Sequence, residues 1–111
     1  MAMIECGKHG LQHVAFTSTY VHSLVLTRKP IDEEVFPVKI YLDVFDGYAH
    51  CWSTLRLIND LGVSYRTEAG FIVIDGLGEE KSLEVYDSAA PAPVCIVCYK
   101  EFEQQNGLSF P

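Results

Sequence analysis

Two short pairs of side chains with metal-binding chemistry stand near opposite ends of this 111-residue chain. The first is Cys6 and His9 within Cys6-Gly7-Lys8-His9-Gly10, and the second is Cys95 and Cys98 within Cys95-Ile96-Val97-Cys98-Tyr99. Two residues between ligands let both side chains of a pair point into one tight turn, so that each pair can fill two corners of a tetrahedron. Gly10 suits such a turn, because backbone amides crowd the ligand atoms there and a left-handed residue opens the chain. If the pairs meet, they close a loop containing the 85 residues between His9 and Cys95. Only folds that bring both ends of that loop side by side satisfy this demand, and closing it restricts the unfolded chain.

Three thiols and one imidazole are a borderline-soft donor set that suits zinc and leaves no open coordination position. The expected role of the ion is therefore structural. The two motifs resemble the knuckles of zinc-ribbon and treble-clef domains, in which a first knuckle and a distant second pair clamp one ion. In treble clefs the second pair also opens a helix. The resemblance spans residues 6–10 and 95–99 and implies a structural Zn2+ held by Cys6, His9, Cys95 and Cys98. A helix starting near Cys98 would add the positive end of its dipole to the thiolates.

Other readings of the thiols are open to the sequence. Four cysteines allow two disulfides in three pairings, but nothing in the chain suggests secretion, and thiols of cytosolic proteins stay reduced. Cys95 and Cys98 also have the spacing of a redox dithiol, although that motif belongs between an early strand and a helix. A catalytic zinc with three protein ligands and water is a further form, against which four good ligands argue. Cys51 stands apart in an apolar stretch and reads as a packing residue.

Charge narrows the partners. Eight Lys and Arg against fifteen Asp and Glu give a net charge of −7. Such a surface disfavours nucleic acid and anionic membrane, and steers a basic protein partner inward. Asp32, Glu33 and Glu34 form one acidic group, and Asp75, Glu79, Glu80, Glu84 and Asp87 a looser one. The apolar runs are too short for a membrane span, and no signal-peptide pattern opens the chain. A single, soluble, cytoplasmic domain over residues 1–111 is expected, with 106–111 as a loose tail.

Periodicity supplies the architecture. Residues 11–17 read as a strand, and Ser18 or Thr19 can cap a short helix that ends before Pro30. Val38, Ile40, Leu42 and Val44 alternate with Lys39, Tyr41, Asp43 and Phe45, as in a half-buried strand. Tyr48, Cys51, Trp52, Leu55, Ile58 and Leu61 share a face at 3.6-residue spacing and predict a helix capped by Asp46 and ended by Gly62. Residues 63–66 and 71–75 predict a hairpin, 83–86 a short strand, and 98–105 a last helix stopped by Gly107. The fold class is α+β, with a small mixed or antiparallel sheet and two or three helices, its ends held by the Cys3His site.

Few other residues offer chemistry. Asp43, Asp46 and His50 could bind a metal or shuttle protons if they converged, which makes a metal-dependent enzyme the main competing reading. His13 and His22 belong to no motif. Gly-x-Ser-x-Gly is absent, and Gly76-Leu77-Gly78 lacks the Lys-Ser/Thr of a phosphate loop. Tyr41 and Phe45 lie opposite the aliphatic row of their strand, so either a second layer covers that face or it is a recognition surface. These features together predict a non-enzymatic zinc-binding interaction module. An acidic inhibitor of the immunity-protein type, directed at a basic nuclease toxin, fits that description by analogy.

Overall fold

The computed structural model describes residues 3–111. They fold into seven strands and four helices: β1 (Met3–Cys6), β2 (Gly10–Thr17), α1 (Thr19–Thr27), β3 (Val35–Leu42), β4 (Gly47–Thr54), α2 (Leu55–Asp60), β5 (Arg66–Glu68), β6 (Phe71–Ile74), α3 (Glu79–Ala89), β7 (Ala92–Cys95) and α4 (Ile96–Gln105). The class is α+β, built on two sheets. One has the order β1-β2-β7 and the other β4-β3-β6-β5, with β3 and β6 parallel and the remaining neighbours antiparallel.

The four-stranded sheet packs one face on α3. Val38, Ile40 and Leu42 of β3, Cys51 of β4 and Ile72 and Ile74 of β6 meet Val85 and Ala89 of the helix, with Ile58 of α2 beside them. A second cluster joins Val21 and Leu24 of α1, Val94 of β7 and Tyr99 and Phe102 of α4 to Trp52 of β4. Trp52 thus ties the small sheet to the large one, and its indole Nε1 donates to Glu103 of α4 at 2.8 Å. A buried indole is stable only when that polar handle finds a partner.

The helix expected from Tyr48 to Leu61 is instead a strand followed by a short helix. Residues 47–54 pair one for one with β3, from Leu42↔Gly47 to Val35↔Thr54, and helix begins only after Thr54, whose hydroxyl accepts from the Leu57 amide at 3.3 Å. Both faces of β4 become covered toward its end, so apolar side chains occupy successive positions and the period-2 signal is lost. Asp46 caps no helix. It lies at φ +48° in the β3–β4 turn, where the Tyr41 hydroxyl donates to its carboxylate. Val44, expected on the buried row, lies in that turn and is 45% exposed.

Residues 83–86, expected as a strand, belong to α3. Its buried residues are Ser82, Val85 and Ala89, two of them too small to register as a hydrophobic stripe. The hairpin near residue 70 is present, with Glu68↔Phe71 closing a two-residue loop of Ala69 and Gly70. Ser18 caps α1 as expected, accepting from the Val21 amide at 3.2 Å.

The sheet face opposite α3 carries Lys39, Tyr41, Tyr48, His50, Trp52 and Phe71. The segment 106–111, expected as a loose tail, lies against this face. Phe110 stacks on Trp52 with ring centroids 4.6 Å apart and also neighbours Phe71 and His50. A second layer therefore covers Trp52 and Phe71, while Phe45 in the turn remains 74% exposed.

Candidate metal centre

Strand pairing alone brings the two motifs together. β1 and β2 form a hairpin in which Cys6 pairs with Gly10, so Gly7, Lys8 and His9 make its turn. Gly10 has φ +74°, the left-handed conformation that the tight turn requires. Gln12 braces the turn from the following strand, its side-chain amide donating to the His9 carbonyl at 3.0 Å. β7 then pairs antiparallel with the far half of β2, placing Cys95 opposite Val14. Cys95 is the N-cap of α4 and Cys98 lies in its first turn, so both sulfurs sit at the positive end of the helix dipole.

The four donor atoms converge. His9 Nδ1 lies 3.6 Å from Cys6 Sγ, 3.7 Å from Cys95 Sγ and 3.3 Å from Cys98 Sγ. Cys6 Sγ and Cys98 Sγ are 3.7 Å apart, and all four atoms lie within 4.8 Å of one another. All the cysteines are free thiols. Cys95 is buried, and Cys6, His9 and Cys98 are half-buried. This Cys3His group can hold a metal ion.

The sulfurs differ in how easily they ionise. Amides of Lys8 and then His9 point at Cys6 and bring its thiol down to about 6. Burial, followed by the neighbouring sulfurs of Cys6 and Cys95, pushes Cys98 up to about 12. Three thiolates in contact repel one another, and a divalent cation at their centre removes that conflict by favouring all three.

Asp43, Asp46 and His50 do not converge. Asp43 and Asp46 share the β3–β4 turn, where the Asp46 amide donates to the Asp43 carbonyl. The His50 ring lies beside the stacked pair Phe71 and Phe110, with centroids 5.5 and 5.6 Å away. Among the described residues, the Cys3His set is the one group of three or more His, Cys, Asp or Glu side chains able to share an ion. His13 is exposed and His22 half-buried on α1. Cys51 is buried in the core, where burial pushes its thiol up to about 12.

Sequence reasoning missed Glu101 at this centre. Its carboxylate lies 3.3 Å from His9 Nε2 and 3.9 Å from Lys8 Nζ. The available signal was spacing: Glu101 follows Cys98 by three residues, which on a helix places both on one face. Comparison with known protein families, curated proteins and solved structures finds no match to this chain.

Proposed function

We propose that this chain is a non-catalytic α+β domain clamped by a structural zinc ion, and that it acts by binding a basic protein partner. The observation that carries the zinc reading is the spacing of the four donor atoms. Tetrahedral zinc with sulfur at about 2.3 Å and nitrogen at about 2.0 Å requires sulfurs about 3.8 Å apart and sulfur–nitrogen edges of about 3.5 Å. The Cys6–Cys98 sulfur distance of 3.7 Å and the three sulfur–nitrogen distances of 3.3–3.7 Å match those edges, and all four donor atoms lie within 4.8 Å of one another. The site resembles a treble clef in its parts, with a first pair in a hairpin turn and a second pair opening a helix.

Four protein donors fill the coordination sphere of such an ion, so the zinc has no position for water or substrate and its role is stability. A redox dithiol needs only Cys95 and Cys98, and leaves unexplained why Cys6 and His9 share their site.

Charge supports the partner reading. The net charge is −7, and α3 turns Glu79, Glu80, Glu84 and Asp87 to solvent, with Lys81 as the one cation among them. Two acids of the other group are occupied within the fold, Asp32 accepting from the Tyr20 hydroxyl and Glu33 pairing with Arg56 at 3.1 Å, whereas on α3 Glu84 alone has a cation beside it, Lys81 at 3.8 Å. The α3 face is therefore the favoured docking surface. An inhibitor of the immunity type, neutralising a basic nuclease, is the specific form of this proposal. Co-purification with candidate basic partners at low and high salt tests it. Binding should weaken with salt and on charge reversal of Glu84 and Asp87; binding indifferent to both removes the electrostatic basis.

A further inference from the structure

The geometry points to Glu101 as the positioning residue of the metal centre, holding His9 in the orientation and tautomer that offer Nδ1 to the ion. This inference rests on the zinc reading above. His9 presents its two ring nitrogens to different neighbours. Nδ1 faces three sulfurs at 3.3–3.7 Å, and Nε2 faces the Glu101 carboxylate at 3.3 Å. A neutral imidazole carries one N–H and one lone pair. A carboxylate at Nε2 selects the tautomer with the proton there, which leaves the lone pair on Nδ1 for the metal.

Lys8 is the competing explanation for Glu101, since its ammonium lies on the same carboxylate oxygen. That contact is longer, at 3.9 Å, and the Lys8 side chain is 51% exposed against 16% for His9. An exposed pair of that length contributes little, whereas a carboxylate behind a ligating histidine orients the ring and raises its basicity. The backbone supplies the rest of the frame. Gln12 fixes the His9 carbonyl, so the main chain of the turn is set by β2 and the ring is set by α4. Because Glu101 and Cys98 occupy one helical face, a single rigid element places both a ligand and the group that orients another.

The test measures zinc affinity of the full chain by chelator competition for wild type, Glu101→Ala and Glu101→Gln. Long-range 15N–1H spectra of His9 in the zinc-loaded proteins accompany it. Alanine should weaken zinc binding by about 10–100-fold. Glutamine should restore most of the loss, since its side-chain carbonyl can still accept from Nε2–H. The wild-type spectra should show a protonated Nε2 and a metal-bound Nδ1, with the Nε2 proton exchanging faster in Glu101→Ala. Unchanged affinity in the alanine variant, or ligation through Nε2, overturns the role of Glu101 while leaving the zinc clamp standing. Wild-type protein that binds no zinc overturns the clamp and this role together.

Discussion

Cys6 Sγ and Cys98 Sγ lie 3.7 Å apart although they stand 92 positions apart in the chain. Strand pairing achieves this, since β2 holds the first knuckle at one end and receives β7, the strand that leads into the second, at the other. The centre therefore sits on a framework assembled from backbone hydrogen bonds, and a bound ion would lock ends that the sheet has already brought near.

Breaking the lock should act on the whole fold. A crosslink closing a loop of roughly 100 residues restricts the unfolded chain by about 4–5 kcal/mol in the loop-entropy model. Cys98→Ser, or removal of the ion by a chelator, should lower stability by about 3–5 kcal/mol on that basis, read as a fall in the denaturation midpoint. Cys51→Ala leaves the centre intact and should not alter zinc content. A Cys98→Ser protein as stable as wild type contradicts the clamp.

Phe110 should matter more than its place near the end of the chain suggests. It stacks on Trp52, the single tryptophan, and on Phe71. Phe110→Ala should destabilise by about 1–3 kcal/mol, because it strips a partly buried aromatic face. Trp52 then gains contact with water, so its fluorescence should shift to the red in the folded variant.

Alkaline pH should weaken the fold. Burial raises the Cys51 thiol from 9.0 to about 12. Burial likewise raises the Tyr99 hydroxyl above its usual 10.0. Both groups hold their protons more tightly when folded. Their contribution is thus complete below the unfolded values and is lost as pH rises from about 9 to 12. Cys51 alone can add a slope of up to about 1.4 kcal/mol per pH unit. Denaturation midpoints measured across that range should fall, and Cys51→Ala should flatten the decline.

The β5–β6 turn offers a gain. Ala69 and Gly70 both have positive φ, +51° and +85°, as a two-residue hairpin of the type I′ class requires. Glycine accepts that conformation, while alanine is strained in it. Ala69→Asn should stabilise the protein by about 0.5–1 kcal/mol. Gly70 should resist substitution for an additional reason, since a Cβ there would stand 3.1 Å from Pro111.

How far the sequence could be read depended on whether a signal was local. The two motifs, the Ser18 cap and the alternation through Val38, Ile40 and Leu42 are set by neighbours a few residues away, and each appears in the structure. β4 is the opposite case. Trp52 is covered by Phe110, almost sixty residues later, and the other face of the strand by α3, so apolar residues on both sides erased the alternation. For α3, Ser82 and Ala89 are buried because they are small enough for the helix to approach the sheet, a property that hydrophobic patterning does not weigh. The convergence of Cys6, His9, Cys95 and Cys98 needed only spacing and donor chemistry. The contact of Glu101 with His9 needed the placement of the β1–β2 turn against α4, which no local pattern encodes.

X-ray absorption at the zinc edge of the purified full chain tests the central claim most directly. It should show one zinc ion per chain, with three sulfurs at about 2.3 Å and one nitrogen at about 2.0 Å. Protein without zinc, or zinc in a shell dominated by oxygen, would contradict it.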